Sequence, residues 1–228
     1  MLTLKHLGLS ARGHLEVRCA VRPGVGLGSS TSDVVAAIRA VSNAFDTQLS
    51  ALEVAVIAVE AEVAADPVMF EDEVVLFAQR HGQVLESWGR WFPAFTVLSV
   101  LADPNAAGIA TVSLPVPGYT SAELSWLETL ISNARIGFQQ QDGRRVAAVA
   151  TASAELNQHF QPIALFEKIR AVAKEQGALG VQISHSGTVI GVLFDSSSVP
   201  PESELVTETV ARLESVGAML LGRFTTGR

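Results

Sequence analysis

The chain has 228 residues, of which 48% are apolar and 17% charged, with a formal net charge of −7 and a mean hydropathy of +0.33. That apolar content suits one large domain or two small ones sharing a cleft, and it excludes a disordered chain. The acidic balance is the wrong sign for a nucleic-acid binder, no apolar run reaches the ~18 residues of a bilayer span, and the single cysteine, Cys19, excludes an internal disulfide. The N-terminal MLTLKHLGLSARGHLEV has neither the apolar core nor the cleavage site of a signal peptide, so a cytoplasmic, reducing setting is expected.

His14 to Val21 alternates, with Leu15, Val17, Cys19 and Val21 on one side, and predicts a half-buried strand. After the run RPGVGLGSSTSD comes a helical pattern with Val34, Val35, Ile38, Val41 and Phe45 on one face. A second helix is expected from about Ser50 to Ala65, opened by a Ser50–Glu53 capping box and stopped by Asp66-Pro67. Three strands follow, over 73–78, 95–101 and 109–114, with turn signals at His81-Gly82, Asp103-Pro104-Asn105 and 115–118. Helices are expected over 121–139, 144–159 and 163–176, then two apolar runs, VQIS and TVIGVLF, joined by a turn at His185-Ser186-Gly187. A helix over 202–213 and a last strand close the chain. Strands and helices fall in blocks, which favours an α+β fold over a regularly wound parallel sheet.

The most informative segment is Pro23-Gly24-Val25-Gly26-Leu27-Gly28-Ser29-Ser30-Thr31-Ser32, between an expected strand and an expected helix. Glycines at alternate positions let the backbone approach a ligand closely. The N–H groups that follow open a helix, where the macrodipole favours an anion. The hydroxyls of Ser29, Ser30 and Thr31 can donate to phosphate oxygens or meet a hard cation. Two other phosphate motifs fail: a P-loop needs a lysine that the chain lacks between His6 and Lys168, and the dinucleotide fingerprint needs a glycine where Ser29 stands. The plainer reading is a glycine turn before a helix capped by Ser or Thr.

PGVGLGSSTSD resembles the second motif of the GHMP superfamily of small-molecule kinases, and its Ser-Ser-Thr-x-Asp form resembles the L-threonine kinase branch of cobalamin synthesis. Two later segments agree, EVAADPVMF from Glu62 to Phe70 and GVQISHSGTVIGVLFD from Gly180 to Asp195. The resemblance implies a two-lobed α+β fold: an N-terminal lobe of a kind shared with ribosomal proteins over 1–115, and an α/β C-terminal lobe over 116–228. It also implies ATP and Mg²⁺ as cofactors and a small hydroxyl compound, threonine or a related amino alcohol, as acceptor. By position, Pro23, Gly24, Gly26, Leu27, Gly28, Ser29, Ser30 and Thr31 would hold the phosphates. Ser30 and Glu62 would hold the metal, and Asp66 would join Ser30 at the reacting centre, beside the attacking hydroxyl. His185, Ser186 and Gly187 would support the phosphate loop or touch substrate. Beside these stand plainer readings: Glu62 on a solvated helix face, Asp66 as a helix stop, His185 as a turn residue, and Ser153 with Asn157 as a polar stripe. Trp88 and Trp91 are expected to pack rather than stack on adenine.

The family carries a further motif on strands well upstream of the phosphate loop, whereas 22 residues precede Pro23 here. The resemblance therefore implies an N-terminal lobe lacking its first strands. An open sheet edge would favour a homodimer, and nucleotide binding would be weak, with little turnover. Three functions compete at this stage: a kinase, a scaffold that binds nucleotide or metabolite without turnover, and an interaction module, which the acidic charge disfavours.

Overall fold

Two compact units make up the described chain, one within residues 1–90 and one from residue 91 onward. The structure is a computed structural model and describes residues 1–10, 12–18, 28–103, 118–184 and 188–227. The expected lobe boundary at 115/116, the expected strand at 109–114 and the turn at 185–187 lie outside the described residues.

The first unit contains α1 (Leu2–His6), α2 (Ser29–Ala44), α3 (Ala51–Glu62) and the hairpin β1 (Val75–Ala78) and β2 (Gln83–Ser87). In α2 the apolar positions that recur at helical spacing, Val35 and Ile38, are buried against Val54, Ala55, Ile57 and Ala58 of α3. The capping box is present: the Ser50 hydroxyl accepts the Glu53 N–H at 3.3 Å, and Glu53 accepts the Ser50 N–H at 2.8 Å. The hydrogen bonds from Ser50 hold the Glu53 carboxyl below the ordinary carboxylate range. β1 and β2 pair antiparallel, and the turn between them uses Gly82 at φ +64°. A Cβ at Gly82 would come within 3.4 Å of the Ala55 carbonyl oxygen, so the turn rests directly on α3.

The second unit is built on a four-stranded antiparallel sheet in the order β4-β5-β3-β6, from β3 (Phe95–Leu101), β4 (Gly180–Ile183), β5 (Val189–Asp195) and β6 (Met219–Thr225). Helices α4 (Ser121–Gln139), α5 (Gly143–Asn157), α6 (Phe166–Glu175) and α7 (Glu204–Ser215) complete it. All seven residues of β3 are buried, as a mostly apolar strand covered on both faces requires, and the Thr96 hydroxyl donates to the Val199 carbonyl at 2.5 Å. Leu98 and Val100 share a core with Phe166, Ile169, Val206 and Leu213, while Phe95 and Val97 pack with Ala147 and Leu193.

The edge strand β4 is covered by α5, where the Thr151 hydroxyl accepts the Val181 N–H at 2.9 Å. This approach leaves no room at Gly180: a Cβ there would lie 2.4 Å from Thr151 Oγ1 and 2.6 Å from the Ala147 carbonyl oxygen. A helix carbonyl cannot step aside as a flexible side chain can. Gly180→Ala is therefore expected to cost about 1–3 kcal/mol through overpacking, read as a fall of several degrees in Tm. An unchanged Tm would mean that α5 and β4 can separate freely.

Two expectations differ from the structure, and two elements, β2 and α1, were not expected. Of the strand expected over 14–21, residues 14–18 form no strand and 19–21 lie outside the described residues; Leu15 and Val17 are about half exposed, at 49% and 53%. Alternation specifies a strand only where a sheet lies alongside, and among the described residues β1 and β2 pair only with each other. The β2 strand went unread because its pattern is inverted: Leu85 faces solvent while Glu86 is half-buried and accepts the Trp88 indole N–H at 3.0 Å. α1 is too short for periodicity to register. α3 ends at Glu62, not at Ala65. The Ala65 N–H, which would bond back along a continuing helix, donates instead to the Gln79 carbonyl in the hairpin turn at 3.0 Å.

Candidate functional site

The helix after the glycine-serine run starts without a side-chain cap. Its N-cap is Gly28, in the left-handed conformation at φ +69° and ψ +17°, and no side chain closes the first turn. The Ser or Thr cap of the plainer reading is absent. A non-glycine residue would be strained at that φ, and a Cβ would also sit 3.1 Å from Asp66 Oδ2. Ser29, Ser30 and Thr31 form the first turn, whose N–H groups have no intrahelical acceptor; the first turn-closing bond is Ser32 N–H to the Gly28 carbonyl, at 2.9 Å. Such N–H groups, with the helix dipole behind them, suit an anionic ligand.

Two carboxylates arrive from α3 and its exit. Glu62 is the last residue of α3. Its Oε1 accepts a hydrogen bond from the exposed Ser30 hydroxyl, while its Oε2 is buried with no hydrogen-bond partner among the described residues. Val63 then turns the chain in the left-handed conformation at φ +69° and ψ −26°. For a β-branched residue that geometry costs about 1–3 kcal/mol and persists only where surrounding contacts over-determine it. Here those contacts are visible. The Val63 N–H bonds the Val59 carbonyl at 2.8 Å, the Ala65 N–H bonds Gln79, and the Asp66 N–H donates to Thr31 Oγ1 at 3.3 Å. The chain thus brings Gly28, Ser30, Thr31, Glu62 and Asp66 together within one unit.

The arrangement fits a hard divalent cation. A serine hydroxyl and a carboxylate with one oxygen unpartnered are oxygen donors, and magnesium is commonly held by one or two carboxylates together with substrate phosphates and water. Among the described residues no group of three or more His, Cys, Asp and Glu could hold a metal by itself. A cation here would depend on Ser30, Glu62 and ligand oxygens.

Pro23, Gly24, Gly26 and Leu27 lie outside the described residues, as do His185, Ser186 and Gly187. Ser153 is exposed on α5 and Asn157 is the last residue of that helix, both in the second unit. Trp91 packs edge-on against Phe138 with ring centroids 6.3 Å apart. His6 approaches Glu53 at 3.6 Å and His159 approaches Glu123 at 3.4 Å, each an ordinary surface contact. The sequence carried no signal for Val63 or for the Gln79 carbonyl, because both act through the backbone. No described helix is long and apolar enough to cross a membrane.

The family model described as GHMP kinases N terminal domain matches residues 2–70, and the model described as GHMP kinases C terminal matches residues 134–218. A homoserine kinase of Halorubrum lacusprofundi is 27% identical over 184 residues, a stretch that is 80% of this chain and 63% of that protein. The chain thus spans less than two thirds of the length of the curated relatives it matches. Among solved structures, a Listeria monocytogenes protein assigned as a homoserine kinase superposes with a TM-score of 0.68 at 20% identity, covering 98% of this chain and 75% of that one. A Lactococcus lactis galactokinase in complex with galactose superposes with a TM-score of 0.66 at 12% identity, covering 100% of this chain and 74% of that one. At these identities the structural likenesses establish the α+β two-lobed fold alone.

Proposed function

This chain belongs to the GHMP kinase family, and we propose that it transfers the γ-phosphoryl group of ATP to the hydroxyl of a small metabolite, an amino alcohol such as homoserine or threonine. The observation that carries this reading is the Ser30–Glu62 hydrogen bond, which joins the start of α2 to the end of α3 across 32 residues; the second Glu62 oxygen is buried with no hydrogen-bond partner among the described residues. The amino-alcohol acceptor is supported by the homoserine kinase relative and by the threonine-kinase form of the loop sequence.

In this reading the first-turn N–H groups of α2 hold phosphate oxygens, and Ser30 with Glu62 holds magnesium. Magnesium, when bound, neutralises charge on the phosphates and on the group in transfer. Asp66 orients the acceptor hydroxyl and takes its proton as the new oxygen–phosphorus bond forms and the bond to the ADP oxygen breaks. Alignment and charge neutralisation are most of what phosphoryl transfer needs, and these residues supply both from one unit.

Mg·ATP is expected to raise the Tm of the protein and NADH to leave it unchanged; binding to the native state adds about 2.7 kcal/mol at 100 times Kd. Phosphorus NMR of the chain with Mg·ATP and L-homoserine, L-threonine, mevalonate or galactose, followed long enough to register the slow turnover expected of this chain, would then show a new phosphate ester with an amino-alcohol acceptor. An ester formed only from mevalonate or galactose would correct the acceptor class. Stabilisation without an ester would favour a nucleotide-binding scaffold. Stabilisation by NADH and not by ATP would overturn the phosphate-loop reading.

A further inference from the structure

We infer that Thr31 is a positioning residue for Asp66 rather than one of the phosphate-binding hydroxyls, a reading that rests on the kinase function proposed above. Three adjacent hydroxyls open α2, but the structure does not treat them alike. Ser30 is exposed and its hydroxyl reaches Glu62. Thr31 is 4% exposed, and its oxygen faces the chain beyond α3, where it accepts the Asp66 N–H at 3.3 Å. A buried hydroxyl oxygen turned towards a main-chain N–H is not presented to a ligand at the helix end.

The contact matters because of what surrounds Asp66. The preceding N–H, of Ala65, is held by the Gln79 carbonyl at 3.0 Å, and the Asp66 carbonyl accepts the Val68 N–H at 2.9 Å. Pro67 follows directly and narrows the backbone choices of Asp66 to the extended region. Val63 has turned the chain out of α3 in a conformation that its branched side chain disfavours. Aspartate has only two side-chain torsions, so a held main chain leaves its carboxylate a few staggered positions. In the one it takes, Oδ2 stands against Gly28, where an added Cβ would lie 3.1 Å from it. Thr31 is the one side chain in this set of tethers, and it links the helix that begins the phosphate site to the residue assigned to the acceptor proton. Gly28 thus leaves space for the carboxylate, and Thr31 holds the main chain that carries it by a hydrogen bond.

Thr31→Val removes the acceptor oxygen with little change of volume, Thr31→Ala removes it with a smaller side chain, and Thr31→Ser keeps it. Amide hydrogen exchange at Asp66, Mg·ATP affinity by calorimetry and kcat with the amino-alcohol acceptor separate the roles. In Thr31→Val and Thr31→Ala the Asp66 amide is expected to lose protection and kcat to fall by about 10- to 100-fold, the scale of a misplacement of about 1 Å, while Mg·ATP affinity stays at the wild-type value. Thr31→Ser should restore both the protection and most of kcat. A fall in Mg·ATP affinity matching that of Ser30→Ala would overturn the assignment, and so would Asp66 protection that survives loss of the hydroxyl. If the wild-type chain phosphorylates no acceptor, the kinase reading fails alone, because exchange and nucleotide affinity still decide the role of Thr31.

Discussion

Asp66→Asn is expected to lower turnover by about 10²- to 10⁴-fold, the usual worth of a positioned general base, with the affinity for Mg·ATP nearly unchanged. The substitution is close to isosteric, and the Asp66 N–H keeps its bond to Thr31 because that contact is made by the main chain. The fit against Gly28 is also retained, since the side chain has the same shape. What is lost is a carboxylate able to receive the acceptor proton. Steady-state kinetics with varied ATP and varied acceptor would test this: the loss should lie in kcat and in kcat/KM for the acceptor. A loss confined to KM for the acceptor would make Asp66 a binding residue. Unchanged turnover would leave it as the residue before Pro67 and nothing more.

Glu62→Gln has the second large expected effect, on metal-dependent nucleotide binding. Outer-shell partners of a bound metal typically cost 10- to 100-fold in metal affinity when removed, and a direct ligand should cost at least that range, so a weakening of about 10- to 100-fold or more is expected in magnesium titrations of nucleotide binding. Ser30→Ala should weaken the same titration, because it removes the hydroxyl that bonds the first Glu62 oxygen. The fold should tolerate Glu62→Gln. Its second oxygen has no hydrogen bond to lose, and removing an unpartnered charge from a buried atom is more often neutral than harmful. Calorimetric titration of ATP at several magnesium concentrations, beside a melting curve, would check both halves. Equal magnesium dependence in the two proteins would leave Glu62 as a structural partner of Ser30.

The residues of this site were legible one by one, and the motif also paired Ser30 with Glu62, whereas the Thr31–Asp66 contact was not legible. Ser30 and Glu62 stand 32 residues apart, and Thr31 and Asp66 stand 35 apart. Spacing along a chain carries no information about such pairs unless a known motif supplies it. The motif placed Ser29, Ser30 and Thr31 together as phosphate ligands. The structure separates them by burial, with Ser29 and Thr31 turned inward and Ser30 outward. In the same way Asp66-Pro67 marked where α3 could not continue, whereas its actual end depends on a carbonyl in a hairpin turn 14 residues beyond Ala65.

Local signals did their work wherever the chain contacts only itself. The Ser50–Glu53 capping box closes as expected, because it needs only residues three apart and a free helix end. The long α4 likewise follows from helical periodicity within its own length. The sequence alone therefore determined the α+β class, most of the helices, and a helix that opens at Ser29. Tertiary structure alone decided which alternating segment joins a sheet, where α3 stops, and which hydroxyl is exposed and which meets a neighbouring backbone. The reason is physical: a cap or a helical face is satisfied within a few residues, whereas a strand, a strained turn and a buried hydroxyl are each completed by a partner that the fold alone brings near.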